Sequence, residues 1–395
     1  MPVVDFVETT EPVCSVIVLA WRLDEPLIDC LRSLAASQDA PAFEVIVVQN
    51  GADDAVKDAL ATTVTGARIL DIPENVGFGG GCNAGASLAR GEFVVFLNDD
   101  TVVDEFWLGA LHRGILSDDS AGAVASLLLN PDGSVQEAGS RVLGDRGTVQ
   151  FGAGMTLDEA AAAGLLERRQ IDYGSAAALL VRTELFRRAA GFDPIYEPAY
   201  FEDVDLQFRL RSAGDDVVFE PRARVVHLSG GSTSSGIAFR TWAATHSGEI
   251  FSERWASTLA TAPRKTDALS ALCDVPIDDD IVSGGRHLST AEQIVAGSHV
   301  TALTIARAFT SWISVNFDEL EAGRVEISRL HHEVQLRNEK IERLETALAG
   351  AERENAELTA ERDLLAARLG DLDSRGPIGV IKWQAGLFRN RRATN

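Results

Sequence analysis

Five acidic side chains and one histidine are the residues of this chain whose types and spacing could do chemistry. Asp99 and Asp100 close the stretch Phe96-Leu97-Asn98-Asp99-Asp100. Glu202, Asp203 and Asp205 follow Phe201, and His227 ends Val225-Val226-His227. Carboxylates this close together are costly unless a cation, a proton or a hydroxyl substrate shares them. Carboxylate oxygens at a strand end suit a hard divalent ion such as Mg²⁺ or Mn²⁺, which takes one or two protein carboxylates together with substrate phosphates. A carboxylate crowded by its neighbours suits a general base, because the crowding raises its pKa toward neutrality. Plainer readings stand beside these. Glu202, Asp203 and Asp205 fit the acidic first turn of a helix, Asp104 fits a cap for the helix that continues through Trp107 and Leu111, and His227 fits a polar residue at a strand end.

These residues must be positioned by an α/β framework. Ser15–Ala20, Phe43–Gln49, Arg68–Ile72 and Glu92–Leu97 are short, continuous apolar runs, the pattern of buried strands in a largely parallel sheet. Helical segments alternate with them, over Pro26–Ala36 and from the glycine-rich Asn75–Gly85 to about Arg90. Polar residues gather at the carboxyl ends of the strands, where open α/β sheets place their ligands: Asn50-Gly51-Ala52-Asp53-Asp54 after the second and Asn98-Asp99-Asp100-Thr101 after the fourth. The glycine-rich segment follows the third strand, not the first, which argues against a dinucleotide fingerprint. It permits close backbone approach to a phosphate or sugar, or tight packing of a helix start on the sheet. Ala121–Leu129 and Gly174–Val181 read as further strands. Asn130-Pro131-Asp132-Gly133 is a turn, and Ser134–Val149 reads as a loop near an acceptor. Tyr196, Tyr200 and Phe201 fit either stacking on a sugar or core packing.

Composition bounds the rest. With 395 residues, 46% of them hydrophobic and 24% charged, the chain can bury a sizeable core, so it is not a disordered protein. A net charge of -23 argues against general nucleic-acid binding. The four cysteines, Cys14, Cys30, Cys82 and Cys273, show no paired spacing, so neither a zinc site nor a disulfide framework is expected and a reducing cytoplasm is the natural compartment. Residues 1–12 carry Asp5, Glu8 and Glu11 without an apolar run, so no leader is expected, and no stretch reaches the length of a membrane span.

The order SVIVLAW, VIVVQNGADD, NVGFGGGCNAG, FLNDD, GFDPIYEPAYFEDVDLQFRLRSAG and VVHLSGGS resembles family 2 glycosyltransferases with the GT-A fold. Among these it is similar to bacterial rhamnosyl- and galactofuranosyltransferase-like enzymes of surface polysaccharide assembly. The resemblance covers roughly residues 13–235 and implies a metal-dependent, inverting transferase that uses a nucleotide-diphosphate sugar donor and a glycan or lipid-linked glycan acceptor. It implies Asp203 as general base with Glu202 beside it, and Asp100 and His227 as ligands of Mg²⁺ or Mn²⁺. The donor site it implies comprises Ala20, Trp21, Asn50, Asp54, Gly77, Phe78, Asn83 and Asp99. Two positions depart from the family pattern: Gln49 stands where an Asp is usual, and Asn98 replaces the first acid of the metal motif. Two other readings remain, a degenerate transferase fold acting as a coiled-coil scaffold and a metal-dependent nucleotidyltransferase. The second lacks a lysine in the glycine segment.

Beyond Ser235 the residues turn helical. Phe239, Trp242, Ile250, Phe251 and Trp255 fall on one or two amphipathic helices, Asp267–Arg286 reads as a linker, and Ser289 with Glu292 opens a further helix. A heptad repeat places Leu320, Ile327, Val334, Ile341, Leu348, Asn355, Arg362 and Leu369 on one set of core positions and Leu330, Arg337, Leu344, Ala351, Leu358 and Leu365 on the other. That pattern predicts a coiled coil and a homo-oligomer, or a long helix folded back on the catalytic domain. The expected organisation is an N-terminal extension (1–12), a GT-A domain (13–235), a helical extension (236–314), a coiled coil (315–370) and a tail (371–395). The tail is basic and amphipathic, suited to an anionic membrane at the inner face of the cell, or a disordered terminus.

Overall fold

The computed structural model describes residues 4–21, 24–144, 147–228 and 237–263, together with 359 and 362–368. The chain divides into two compact units, Met1–Ser314 and Val315–Asn395. The predicted linker and the helix from Ser289 lie outside the described residues. So do the coiled coil and the tail, apart from 359 and 362–368, whose side chains are exposed.

The described elements of the first unit begin with β1 (Val4–Asp5), β2 (Cys14–Ala20), α1 (Asp24–Ala35), β3 (Phe43–Asn50), α2 (Asp54–Thr63), β4 (Val64–Thr65), β5 (Arg68–Ile72) and α3 (Gly77–Ser87). Next come β6 (Phe93–Asn98), β7 (Thr101–Val103), α4 (Trp107–Leu116), β8 (Ala121–Leu129), β9 (Val135–Glu137), β10 (Ser140–Val142), β11 (Thr148–Gln150), α5 (Leu157–Ala162) and β12 (Arg169–Gln170). The series closes with β13 (Ala178–Arg182), α6 (Thr183–Arg188), α7 (Glu202–Ser212), β14 (Asp216–His227), α8 (Ile237–Arg254) and α9 (Ala256–Thr261).

The main sheet has the order β12-β14-β8-β13-β6-β2-β3-β5, with β7 paired to β14 and β9 to β8. From β6 through β2 and β3 to β5 every pairing is parallel. The antiparallel β13 then joins this half to the parallel pair β8 and β14. Successive residues of a strand face opposite sides of its sheet. Val16 and Val18 of β2 therefore pack with Leu31 of α1 and Trp107 of α4, while Ile17 packs on the other side with Ala84 of α3 and Leu206 of α7. Burial on both faces is why these strands read as unbroken apolar runs.

Three local expectations change. The N-terminal extension joins the fold: Val4 and Asp5 pair with Val64 and Thr65, and Phe6 is buried. The region 134–149, expected as a loop, holds β9, β10 and the start of β11. Asp104 does not cap α4 directly; its carboxylate accepts from the Phe106 N–H at 3.0 Å, one turn ahead of the helix.

Candidate active site

The strand order places β3 and β6 on either side of β2, a switch point at which α/β sheets open a crevice. Leu19 pairs with Asn98, so the residues following both strands meet. Accordingly the Trp21 N–H donates to Asp99 Oδ2 at 3.3 Å. Burial first, and the Asp100 charge second, push the Asp99 carboxyl up to about 7.

After this turn β7 runs antiparallel to the end of β14, with His227 opposite Thr101. The Leu228 N–H donates to the Asp100 carbonyl at 2.9 Å. His227 Nε2 thereby lies 3.2 Å from Asp100 Oδ1 and 3.4 Å from Asn98 Nδ2. Asp100 is 1% exposed, yet among the described residues neither carboxylate oxygen has a hydrogen-bond donor. A buried carboxylate without donors is costly unless a cation or proton accompanies it. Two orphaned oxygens facing an imidazole nitrogen fit a divalent cation that takes its remaining ligands from a substrate. Among the described residues no group of three or more His, Cys, Asp and Glu side chains could hold a metal alone.

The second acidic group sits at the start of α7, behind Tyr200 and Phe201, which both have left-handed backbone (φ 76° and 67°). Non-glycine residues in that region are strained, and such strain persists only where the surrounding structure over-determines it. Asp203 accepts from the Ala176 N–H at 3.0 Å and the Val204 N–H at 2.9 Å, and burial raises its pKa. Glu202 is buried with Oε2 unpartnered; burial, then the Asp203 charge, hold its carboxyl well above the usual range.

Asp205 does not join them. It accepts from Tyr196 Oη at 3.1 Å, Trp255 Nε1 at 2.9 Å, Arg209 Nε at 2.8 Å and Arg254 Nη1 at 3.0 Å. Burial opposes its charge, but Arg209 and Arg254 keep its pKa below the ordinary value. The expected crowding of Asp203 by Asp205 fails because residues two apart do not share a helix face. Tyr196, 1% exposed, is core packing.

Glu137 of β9 is an acid that sequence reasoning missed. It accepts from the Ser175 N–H at 2.9 Å, so consecutive amides of the segment before β13 hold Glu137 and Asp203. Burial, and the charge of Asp203, push Glu137 up to about 7, while His227 acts in the opposite direction. Its neighbour Gln136 receives His227 Nδ1 at 2.7 Å. The alternation in Val135-Gln136-Glu137 was the available signal, hidden by reading 134–149 as one loop.

The glycine segment is built differently from its expected role. Asn50 donates to the Gly77 carbonyl at 2.9 Å and accepts from the Val76 N–H at 2.9 Å, so it braces the loop from inside. Asn83 donates to the Phe192 carbonyl and accepts from the Phe192 N–H, at 2.8 and 2.9 Å. Both side chains are buried and taken up by internal hydrogen bonds; Ala20 is buried as well. Glu197 occupies the start of α3: Oε1 accepts from the Gly80 N–H at 2.8 Å, and a Cβ on Gly77 (φ 81°) would lie 1.4 Å from Oε2. This helix N-terminus therefore already holds a carboxylate and does not offer the Gly80 N–H to a phosphate. Phe78 donates its N–H to the Pro198 carbonyl at 3.1 Å and stacks edge-on with Phe192. Asp54 is exposed in the first turn of α2, behind the Asp53 cap. Trp21, Phe78 and Asp54 keep exposed surface, while Asp99 is buried against Trp21.

A family model described as "Glycosyl transferase family 2" matches residues 15–160. The chain is 29% identical over 223 residues to the N-acetylglucosaminyl-diphospho-decaprenol L-rhamnosyltransferase of Mycobacterium tuberculosis, covering 51% of this chain and 72% of that one. It is 31% identical over 223 residues to the O-antigen biosynthesis protein RfbC of Myxococcus xanthus, covering 55% of this chain and 17% of that one. Against another curated relative it spans 21% of that protein's length. Among solved structures it is similar to a mannosyltransferase from Pyrobaculum calidifontis in complex with GDP-Man and Mn²⁺, at a TM-score of 0.44 and 15% identity, over 80% of this chain and 83% of that one.

Proposed function

Because the chain carries a family 2 glycosyltransferase domain, we propose that it transfers a sugar, with inversion, from a nucleotide-diphosphate donor to a hydroxyl of a glycan or lipid-linked glycan. The observation that carries this reading is the convergence on β9. Gln136 holds His227 beside Asp100, and Glu137, the next residue, feels the charge of Asp203. A half-buried imidazole facing a buried acid and a half-buried carboxylate of raised pKa thus border one region of the sheet. Single displacement at a sugar needs both, one for the leaving diphosphate and one for the incoming hydroxyl.

Asp203 takes the acceptor's proton as the acceptor oxygen bonds to the sugar's anomeric carbon, while the electron pair of the breaking bond leaves on the diphosphate. Backbone donors on both Asp203 oxygens fix the direction from which that proton arrives. Glu202 lies beside it, with burial and the Asp203 charge holding its carboxyl well above the usual range. Asp100 and His227 would hold Mg²⁺ or Mn²⁺, which neutralises charge on the leaving group when bound. Trp21, Phe78 and Asp54 remain as contacts for the donor.

Convergence of these groups favours an enzyme over a degenerate scaffold, in which the buried, unpartnered acids would have no use. Heptads from Leu320 to Leu369 support assembly through the second unit, and the basic residues near the C-terminus support contact with an anionic membrane. Calorimetric titration of nucleotide-sugar donors with Mn²⁺ present tests the reading. We expect one donor to bind and Asp100→Ala to abolish that binding without unfolding the protein; undiminished donor affinity in the variant would remove Asp100 from the site.

A further inference from the structure

The turn Asn130–Gly133 lies outside the chemistry above, yet it hydrogen-bonds toward His227 through side chains whose donor and acceptor roles are forced. Ser134 Oγ gives its proton to Asp132 Oδ1 at 2.7 Å, because an ionised carboxylate can only accept. The Ser134 oxygen therefore accepts from Asn130 Nδ2 at 2.9 Å. The same Nδ2 also faces the Val135 carbonyl at 3.4 Å, which fixes the Asn130 amide with its oxygen turned the other way. That oxygen accepts from Gln136 Nε2 at 3.1 Å, and Gln136 Nε2 also donates to the His227 carbonyl at 3.1 Å. With its nitrogen facing two acceptors, Gln136 has only its oxygen left for the ring. His227 Nδ1, at 2.7 Å from it, must be the donor.

We infer that Asn130 and Gln136 are positioning residues that hold the neutral imidazole of His227 as the Nδ1–H tautomer, so that its Nε2 lone pair faces Asp100 and is open to a divalent cation that the two residues would hold. The opposite tautomer would place an N–H on Nε2, where no metal can bind. Gln136 grips both the ring and the backbone carbonyl of the same residue, which also restrains rotation of the imidazole. A partner on the far ring nitrogen that sets tautomer and orientation is a general requirement of histidine ligands. The cation part of this inference rests on the function proposed above; the tautomer does not.

Two measurements on the full chain test it without transfer activity. Nitrogen-15 shifts of the imidazoles, in metal-free protein at a pH where the ring is neutral, should show His227 with the proton on Nδ1. Calorimetric titration with Mn²⁺ alone should show roughly 10–100-fold weaker binding for Gln136→Leu. Gln136→Glu gives up the donations to Asn130 and to the His227 carbonyl but keeps an acceptor toward Nδ1, so it should retain the tautomer and bind Mn²⁺ more tightly than Gln136→Leu, which a merely structural role would not predict. A wild-type His227 protonated on Nε2 overturns the inference, as does a folded Gln136→Leu variant that binds Mn²⁺ like the wild type. An Nδ1–H tautomer in a wild type that binds no Mn²⁺ supports the relay while overturning the metal assignment beneath it.

Discussion

Asp203 and Asp205 stand two residues apart on α7 and face opposite demands. Asp203 is held by two backbone N–H groups, and burial raises its pKa. Asp205 sits between Arg209 and Arg254 and is kept ionised. Their substitutions should therefore separate. Asp203→Asn is nearly isosteric and should lower turnover by about 10²-fold or more while donor affinity holds, since a general base contributes that much or more. Steady-state kinetics checks this; normal turnover in Asp203→Asn with loss in Glu202→Gln would move the base by one residue. Asp205→Asn should instead destabilise the fold by about 3–5 kcal/mol, the usual cost of removing one partner from a buried ion pair. Chemical denaturation measures it. A fully stable Asp205→Asn variant that cannot transfer would return Asp205 to the catalytic acids.

At the scale of elements, the N-terminus of α3 shows how a distant segment completes a helix. Glu197 reaches the Gly80 N–H from the far side of the sequence, and Gly77 leaves room for it. Burial moves the Glu197 carboxyl from its ordinary 4.5 up to about 8. Below the ordinary value both folded and unfolded chains carry the proton, so this group has no effect on stability. As pH rises between the two values the unfolded chain ionises first, and Glu197 makes the fold progressively less stable; above about pH 8 the penalty is complete. Glu197→Gln can still accept from Gly80 and does not titrate. Its stability relative to wild type, from urea denaturation, should grow between about pH 5 and about pH 8.5. A difference that stays constant over this interval would show that Glu197 is ionised in the fold.

For the whole molecule, every residue placed in the proposed site lies in the first of the two compact units. The net charge of -23 repels a phosphate backbone. Among the described residues no helix is long and apolar enough to cross a membrane. A chain ending at Ser314 should therefore bind donor as the full chain does and run as a monomer, while the full chain assembles through the heptads. Light scattering of both at equal concentration checks this. A full chain that stays monomeric at high concentration would leave the heptad helix without a partner.

Apolar periodicity determined much of this protein by itself. Runs such as SVIVLA and FVVFL can be buried only as strands covered on both faces, and β2, β3, β5 and β6 lie within a residue or so of where those runs end. Asp99 and Asp100 stood out for a related reason, because charge at the end of an apolar run is costly without a use, and Asp203 stood out through its crowding with Glu202 and Asp205. What the residues could not disclose is which polar groups meet across the chain. Asn50 and Asn83 read as ligand contacts until the loop and the Phe192 backbone are seen to occupy them. Asp205 reads as a third acid until Arg254 and Trp255, far along the chain, are packed against it. Glu137 and Gln136 become part of a site only because β9 pairs with β8 and brings them to Ser175 and His227. Hydrogen bonds between distant segments leave no period in the sequence, so tertiary structure alone decided which polar groups pair with one another.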